Sequence, residues 1–457
     1  MIAPGAFCRP IGSSMRRIGL LSLVAAAVFP ASAFAAGFGL KEHSADAMAA
    51  VYAGAAATGS DASYLAYNPA LVTSVKETDF SVSAVQILAG TSAEYSSALT
   101  ATGTTTGGLA KPKNFIADAI VPAVGFRQRL SQNWAVGLSI SAPWGLRSDY
   151  PSTWAGRYYA QRSSLFSINA APVVSYQITP DLSIGVGAQI QFVRGTLTSA
   201  IDTGTLGALN LIPGSIPGAQ DSFARLSGKS WSYGYTAGLV DHIGNVTLGI
   251  AYRSSLQHHL KGPLTFTLDS AGIGATIRSQ TGLFTDATQT TSVTTPDMVT
   301  SGARIELSDA WTGLVEVDWT HWSRFHELRI RVLNPAQPDD VTTMRWKDTF
   351  FASLGAEYRA SPIWSFKTGA GYDQSPTIDA FREPRIPDAD RVWLSAGVRY
   401  RMTENVDLSL TASRLFFLPS NIDLKATAPG AALRGTLAGT TNAYVDCVGF
   451  QVSYNAD

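Results

Sequence analysis

The chain has 457 residues, with 34 basic and 34 acidic side chains, and this lack of a basic surplus argues against a nucleic-acid partner. Charged residues make up 15% of the chain, whereas an average soluble domain has about 25%. Beyond the N-terminal region there is no apolar run of the ~18 residues that a membrane-spanning helix needs. These features fit a soluble all-β protein, and also a barrel with lipid-facing apolar residues at every second position.

Residues 1–35 have the features of a secretory signal peptide. A positive region at 15–17 precedes an apolar region at 18–29 and a small-x-small cleavage motif at 33–35. We therefore expect cleavage between Ala35 and Ala36.

Residues 36–76 are rich in Ala, Gly and Ser, a composition that favours short, closely packed helices over strands. Helices are expected over 44–52 and 61–66, with Ser44 and Asp61 as the N-caps.

A further helix is expected to begin at Asn68-Pro69-Ala70. Asn is a strong N-cap, and Pro is favoured at the first helical position because its missing N–H has no intrahelical partner there. The whole stretch is either a helical plug inside a barrel or an N-terminal arm packed under a sheet.

From residue 77 onward, several segments alternate between apolar and polar or small residues. This alternation is clear over 182–194, 246–252, 391–401 and 406–413. A soluble sandwich with one buried face shows the same pattern, so alternation alone does not separate a sandwich from a barrel.

The turns separate the two possibilities. Long connections alternate with six tight polar turns, at 130–133, 179–181, 243–245, 307–309, 360–362 and 402–405. Short turns on one side and long loops on the other are typical of outer-membrane barrels. Six short turns, with both termini on the same side, predict fourteen antiparallel strands over residues 77–457.

Three tryptophans, Trp134, Trp311 and Trp364, come just after short turns. This common level is expected of an interfacial aromatic girdle, and we interpret the short-turn side as periplasmic.

The third strand is interrupted by Pro143-Trp144-Gly145. Pro cannot donate to a strand ladder, so we expect either a local break in the barrel wall or simply the end of the strand at a long loop.

Four stretches carry a resemblance to a known family. AGFGL at 36–40, NPAL at 68–71, WSRF at 322–325 and IPDADRVWLSAG at 386–397 resemble the FadL family of outer-membrane transporters, which includes FadL and TodX. The resemblance implies an all-β fold, a 14-stranded antiparallel transmembrane β-barrel plugged by a small N-terminal helical hatch, and it suggests a monomer.

The resemblance also implies capture of hydrophobic substrates at the outer surface and their release through a lateral opening at a kinked third strand. Pro143-Trp144-Gly145 falls at that kink. Asn68 matches the hatch asparagine of the family, so Asn68, Pro69 and Ala70 are expected to gate passage. No energy source is visible, so we expect passive uptake into the Gram-negative cell envelope. Long-chain fatty acids are the expected substrate, and monoaromatic hydrocarbons are the alternative.

The family typically binds a fatty-acid carboxylate with basic residues inside the barrel, but Ser199 stands where one family arginine is found. Lys347 and Arg391 match family positions, and strand parity points both inward. They are candidate headgroup ligands together with Asp388 and Asp390. The alternative is a set of paired charges at the mouth of the lumen.

An aromatic cluster in the outer loops includes Trp154, Tyr158 and Tyr159, with Arg157 and Arg162 close in sequence. The aromatic side chains are candidates for holding an alkyl chain or ring, and the arginines for meeting a headgroup or lipopolysaccharide phosphates. The alternative is a belt that contacts outer-membrane lipid and lipopolysaccharide only.

Other functions have little support in the sequence. No G-x-S-x-G elbow, P-loop or dinucleotide fingerprint is present, and the histidines lack the ligand pattern of a metal site. We therefore expect no enzyme activity, cofactor or metal. A general porin with an open polar lumen and a structural or adhesive barrel remain as alternatives.

Overall fold

The structure, a computed structural model, describes residues 37–427 and 431–456. The predicted signal peptide at 1–35 lies outside the described residues. Within the described ranges, no helix combines the length and the apolar character needed to cross a membrane. The described chain is dominated by one closed, antiparallel β-barrel of fourteen strands, as the six short turns predict.

Six strands are interrupted once and continue beyond the interruption. The strands are β1 (Thr78–Leu99), β2 (Ala119–Arg129), β3 (Trp134–Ser141 and Gly145–Asp149), β4 (Arg162–Gln177), β5 (Leu182–Asp202), β6 (Asp221–Ile243), β7 (Val246–Arg253 and Leu256–Thr267), β8 (Ala287–Thr295 and Met298–Glu306), β9 (Trp311–Thr320 and Glu327–Val332), β10 (Asp340–Thr343 and Thr349–Arg359), β11 (Trp364–Asp373), β12 (Arg391–Arg401), β13 (Val406–Phe417 and Ser420–Leu424) and β14 (Thr436–Ala456).

The first and last strands close the barrel. β1 pairs with β14 from Thr78↔Ala456 to Leu99↔Thr436, with one register shift between Tyr95 and Ser97. Closure removes the free edges that would expose unpaired backbone groups to lipid.

The alternation of the strands places apolar side chains on the outer face and polar ones in the lumen. Val186 and Ile250 are 54% and 48% exposed, whereas Gln191 of the same barrel is fully buried. The apolar rows predicted from the sequence therefore form the lipid-facing surface, and not the core of a soluble sandwich.

The three tryptophans beside the short turns each pack on a tyrosine of the next strand. The ring centroids are 4.6–4.8 Å apart in the pairs Trp134–Tyr176, Trp311–Tyr358 and Trp364–Tyr400. This cross-strand pairing places exposed aromatic rings at one end of the barrel, as expected of a girdle.

The hatch, residues 37–76, contains helix α1 (Ala45–Met48) and two 3₁₀ helices at Ala62–Ala66 and Pro69–Ser74. Each begins at its predicted N-cap, since the side chains of Ser44, Asp61 and Asn68 accept backbone N–H groups of the following turn. The first helix ends earlier than predicted. The left-handed backbone of Val51 (φ 53°) and Tyr52 (φ 59°) is incompatible with its continuation.

Two helices in the long loops lie at the opposite end of the barrel from the short turns. They are α2 (Thr203–Leu209), between β5 and β6, and α3 (Ile273–Thr281), between β7 and β8. Isolated 3₁₀ turns occur at Trp322–Arg324 and Asp379–Phe381.

The backbone of the hatch rests directly on glycines of the inner wall, which we call the glycine seat. A Cβ atom at Gly249 of β7 would lie 2.0 Å from the carbonyl oxygen of Ala56. Other seat glycines are in similar contact with hatch atoms, namely Gly125, Gly185, Gly238, Gly369, Gly397 and Gly449. Residues 37–76 therefore form a plug inside the barrel, and not an arm packed under a sheet.

Buried ion pairs add to this attachment. The carboxylate of Asp46 pairs with Lys367 of β11 at 2.5 Å and with Arg399 of β12 at 2.6 Å. Arg399 also pairs with Asp61 at 3.2 Å. Because removing one partner would leave a buried charge without compensation, these pairs fix where α1 sits against the wall.

We predict that Gly249→Ala displaces the hatch, because the new Cβ would overlap the backbone of Ala56. The free energy of unfolding should fall by about 1–3 kcal/mol, as for other overpacked interiors, and ion conductance in planar bilayers should rise. Gly313→Ala is the matched control, since its Cβ would be 3.6 Å from the nearest neighbour, Leu307. Equal stability and conductance in the two variants would contradict the glycine seat.

Candidate functional site

The interruption of β3 leaves a stretch of the barrel wall without strand pairing, which we call the gap. The last ladder pair between β2 and β3 is Val124↔Ile140, and the next contact is the isolated bridge Ile116↔Ser148. The continuation Gly145–Asp149 pairs with β4 on its other side. Residues 118–123, which lie on the β2 side of the interruption, therefore form no backbone ladder with β3 in the described part of the chain. The break expected at Pro143 is present within the wall and is not merely a strand end.

The broken segment pairs with the N-terminal part of the hatch instead. The N–H of Leu40 donates to the carbonyl of Pro143 at 2.8 Å, and the N–H of Gly145 donates to the carbonyl of Phe38 at 2.9 Å. Residues 37–40 thus act as a short extra strand on the lumen side of the gap. This pairing satisfies backbone groups that the missing ladder would leave unpaired.

The ring of Phe38 lies at the centre of an aromatic cluster, which we call the Phe38 cluster. The ring centroids of its partners lie 4.9–5.7 Å from that of Phe38, and the partners are Trp144, Trp322, Phe325 and Trp346. Most of these contacts are edge-to-face, a favourable arrangement for aromatic pairs. The cluster joins the hatch, the broken strand and the interruptions of β9 and β10.

The start of the hatch is also held by an acidic side chain of the predicted site. The N–H of Gly37 donates to Asp388 Oδ2 at 2.9 Å. Asp388 Oδ1 accepts from Arg391 Nη1 at 2.9 Å, and Arg391 pairs in addition with Asp373 at 3.0 Å. Arg391 and Asp388 are both fully buried.

These contacts correct the interpretation of Arg391 and Asp388 as headgroup ligands. Both carboxylates already pair with the guanidinium, so Arg391 and Asp388 belong to a buried set of paired charges. Asp390 is separate from this pair, because it accepts hydrogen bonds from the Tyr372 hydroxyl at 2.6 Å and from the Ser375 N–H at 2.7 Å.

Lys347 is also not where strand parity predicted it. Its side chain is exposed and the strand begins only at Thr349, so strand alternation does not extend to it. The buried neighbour is Trp346, which belongs to the Phe38 cluster.

Asn68 joins the hatch to the wall. Its side-chain Nδ2 donates to the carbonyl oxygens of Ala56 at 2.8 Å and of Leu239 in β6 at 3.1 Å, and its Oδ1 accepts from the N–H of Ala70 at 2.9 Å. The carbonyl of Pro69 accepts from the hydroxyl of Ser175 in β4 at 2.6 Å. The predicted gating residues are thus both a helix cap and a connection to the barrel.

Two titratable side chains of the hatch are buried next to this region. Burial raises the pKa of Glu42 to about 7 and lowers that of His43 to about 3. His43 is therefore neutral at physiological pH. The described residues contain no group of three or more His, Cys, Asp or Glu side chains that could hold a metal ion.

The predicted capture residues lie inside the outer loops and not on their surface. Trp154 is fully buried and stacks on Tyr150 at 4.1 Å between ring centroids. The Tyr159 hydroxyl donates to the carbonyl of Gly435 at 2.6 Å. Trp154 and Tyr159 therefore hold the loops together, which corrects both the capture role and the alternative of a lipid-contacting belt.

Tyr158 is different because it lines a large cavity at the long-loop end, which we call the outer cavity. Its volume is about 500 Å³, and Ser199 is part of its wall. Most of the lining is apolar, from side chains that include Leu197, Leu226, Leu264, Phe266, Phe284 and Leu328.

A second cavity of about 90 Å³, the middle cavity, lies next to the outer one. The two share lining residues, namely Leu197, Leu226, Leu328 and Arg385. Phe38 lines the far side of the middle cavity. Arg385 donates to Ser163 Oγ and to the carbonyl of Thr198, both at 3.2 Å.

A third cavity of about 80 Å³, the inner cavity, lies beyond the Phe38 cluster. It is lined by hatch residues such as Lys41, by Pro143 and Trp144 of the gap, and by Arg253 of β7. The three cavities therefore lead from the long-loop face to the interior side of the gap, and the Phe38 cluster separates the second from the third.

Sequence reasoning missed Phe38, Arg253 and Arg385. Phe38 lies in the family-like AGFGL stretch, and Arg385 directly precedes the IPDADR stretch. Arg253 continues the inward register of Gly249 and Ala251 at the end of an alternating strand. The sequence signal that could have identified Arg253 is a charged residue at a strand position that faces the lumen.

Comparison with known proteins agrees with this architecture. A family model described as "Outer membrane protein transport protein (OMPP1/FadL/TodX)" matches residues 26–455. The chain is 28% identical over 417 residues to the "Long-chain fatty acid transport protein" of Escherichia coli O6:H1, covering 85% of this chain and 89% of that protein. It is 26% identical to "Outer membrane protein P1" of Haemophilus influenzae, with 85% and 88% covered.

Solved structures show the same fold. A Pseudomonas aeruginosa FadL homologue superposes with a TM-score of 0.83 at 22% identity, covering 92% of this chain and all of that one. The Pseudomonas putida toluene transporter TodX superposes with a TM-score of 0.65 at 16% identity, covering 86% and 94%. The matched family consists of transporters and channels, not enzymes. With its family match over nearly the whole length and its plugged fourteen-stranded barrel, the chain belongs to the OMPP1/FadL/TodX family of outer-membrane transport proteins.

Proposed function

We propose that this protein carries long-chain fatty acids passively across the lipopolysaccharide layer and releases them sideways through the gap at β3. The observation that carries this proposal is the order of the three cavities, which ends on the interior side of that gap. The relatives named as long-chain fatty acid transport proteins support the substrate class.

The outer cavity suits the capture of an amphiphile. Its apolar lining can bury an alkyl chain, which stabilises binding by about 25 cal/mol per Å² of apolar surface removed from water. Arg385 lies where this cavity meets the middle one, and no carboxylate of the described residues is within ion-pair distance of it. Burial lowers the pKa of Arg385 to about 10, so it stays protonated at neutral pH.

Arg385 could replace the arginine that the family has at the position of Ser199. Ser199 follows Thr198, whose carbonyl accepts a hydrogen bond from Arg385 at 3.2 Å. A cation from the loop before β12 thus stands beside the position where the strand lacks one. We infer that Arg385 receives the carboxylate, in place of Lys347 and Arg391.

Passage of the substrate from the middle cavity to the inner cavity requires residues 37–40 to move. The Phe38 cluster fills the space between the middle and inner cavities, and cavities of 80–90 Å³ are too small for a long acyl chain at rest. Displacement of Phe38 would join the two cavities and would also release Pro143 and Gly145 from their hatch partners. One movement of residues 37–40 would then open both the passage between the cavities and the gap at β3.

The glycine seat and the ion pairs of Asp46 argue against an axial route through the hatch. Moving the whole hatch would break buried pairs with Lys367 and Arg399, whereas moving residues 37–40 would not. A lateral exit also leaves an apolar substrate in the lipid phase, so it never has to enter water.

Monoaromatic hydrocarbons are the second candidate substrate, favoured by the apolar lining of the middle cavity. A general porin is disfavoured, because the hatch fills the lumen.

We predict that cells lacking their own transporter of this family take up oleate when they express this protein. Arg385→Gln should lower uptake several-fold at limiting oleate, because a charge-assisted hydrogen bond to the carboxylate is lost. Arg359→Gln is the control, since Arg359 is an exposed arginine near a short turn. Uptake of toluene without uptake of oleate would make the protein a hydrocarbon channel.

We predict that replacing Pro143-Trp144-Gly145 by Thr-Val-Thr closes the gap and reduces uptake at least tenfold, with normal amounts of folded barrel. The control is Pro419→Thr in the interruption of β13, where β14 pairs with the segments on both sides. Undiminished oleate uptake in the Thr-Val-Thr variant would place the exit elsewhere.

We predict that Asn68→Ala leaves the barrel folded but slows uptake, because the hatch loses its cap and its hydrogen bond to Leu239. Initial rates of oleate uptake measure the effect. Asn133→Ala, which removes a hydrogen bond to Gln177 at a short turn, should transport normally. Wild-type rates in Asn68→Ala at equal expression would refute a gating role.

A further inference from the structure

Arg253 differs from three other arginines that lie near the hatch. Arg127, Arg391 and Arg399 are each paired with at least one carboxylate. Among the described residues, no carboxylate lies within ion-pair distance of Arg253, and its one described hydrogen bond is from Nη2 to the carbonyl of Ala66 at 2.8 Å. Its side chain is half-buried and lines the inner cavity.

The register of β7 explains why Arg253 points into the lumen. Gly249 belongs to the glycine seat and Ala251 is buried. Arg253 is two positions further along the same face, just above the hatch, where the seat ends and the inner cavity begins.

The other charges around the inner cavity are already compensated. Lys41 pairs with Asp318, and Asp373 pairs with Arg391. His43 is neutral because burial lowers its pKa to about 3. Arg253 is therefore a lining cation that has no carboxylate within ion-pair distance among the described residues.

Apart from four threonines, the rest of the lining is mainly apolar or aromatic. Pro143, Trp144, Trp322 and Phe351 contribute to it. Trp144, one of these lining residues, has a buried indole N–H without a hydrogen-bond partner among the described residues. A guanidinium without a carboxylate partner among largely apolar neighbours matches an anionic headgroup followed by a hydrocarbon chain.

We propose that the inner cavity is a second carboxylate station, in which Arg253 binds the headgroup of an amphiphilic monoanion before the chain leaves through the gap. This inference rests on the proposed lateral route and names the substrate class it serves. A neutral hydrocarbon would leave the guanidinium uncompensated in an apolar site, which is unfavourable. The station therefore favours anionic amphiphiles over hydrocarbons of similar size.

Arg253 has one structural contact that the test must separate from headgroup binding. Its hydrogen bond to Ala66 supports the hatch. Arg253→Gln retains an N–H donor for that carbonyl but removes the charge, and Arg253→Lys retains the charge but not the planar fork.

The experiment measures the affinities of the purified mature protein for oleate and for its uncharged methyl ester in detergent. Wild type should bind oleate more tightly than methyl oleate. In Arg253→Gln the affinity for oleate should fall roughly tenfold while that for methyl oleate stays unchanged, and Arg253→Lys should recover most of the loss. The series is repeated in the Arg385→Gln background, so that the outer cation does not conceal the effect.

Arg359→Gln is the control variant, because Arg359 is exposed near a short turn. Equal loss of both ligands in Arg253→Gln would assign Arg253 to hatch support and overturn the proposal, as would unchanged oleate affinity. If Arg253→Gln does not fold, equal affinities of wild type for oleate and methyl oleate would overturn it as well. If cells that express the wild-type protein fail to take up oleate, the proposed function is refuted. If they take up oleate normally but Arg253→Gln binds oleate as tightly as wild type, only the second station is refuted.

Discussion

Two hydrogen bonds between the hatch and the broken strand constrain the rest of the structure. A strand that leaves the ladder inside a membrane barrel exposes backbone groups that neither lipid nor a neighbouring strand can satisfy. Here the carbonyl of Pro143 and the N–H of Gly145 are paired with Leu40 and Phe38. Pairing with residues 37–40 therefore stabilises the interrupted part of the wall and joins the start of the hatch to the barrel.

The hatch is divided into a fixed part and a part with fewer attachments. Beyond residue 41 its backbone rests on wall glycines, and Asp46 and Asp61 are tied to β11 and β12 by buried pairs. Residues 37–40 are held instead by backbone hydrogen bonds, aromatic packing and the contact of Gly37 with Asp388. These contacts involve no ion pair of their own, so local displacement of this segment costs less than movement of the hatch.

The pairing state of each cation decides what it does. Arg391, the most conspicuous basic residue of the family-like stretch, is fully buried between Asp373 and Asp388 and acts as an internal support. Arg385 and Arg253 have carbonyl or hydroxyl partners only, among the described residues, and both line cavities. On the route proposed above, a carboxylate-bearing substrate would meet Arg385 before the Phe38 cluster and Arg253 after it, and neither has a carboxylate within ion-pair distance among the described residues.

Much of the fold is determined by local sequence. Strand alternation, the six polar turns, the N-caps of the hatch and the break at Pro143 depend on residues within a few positions of one another, so they are readable from the sequence. The contacts of the candidate site cannot be read from local sequence. Which carboxylate neutralises Arg391, that Trp154 is internal, and that Leu40 pairs with Pro143 about a hundred residues away are decided only when the barrel closes. Local patterns fix backbone geometry and the face on which a side chain lies, whereas burial and charge compensation depend on groups brought together from distant strands.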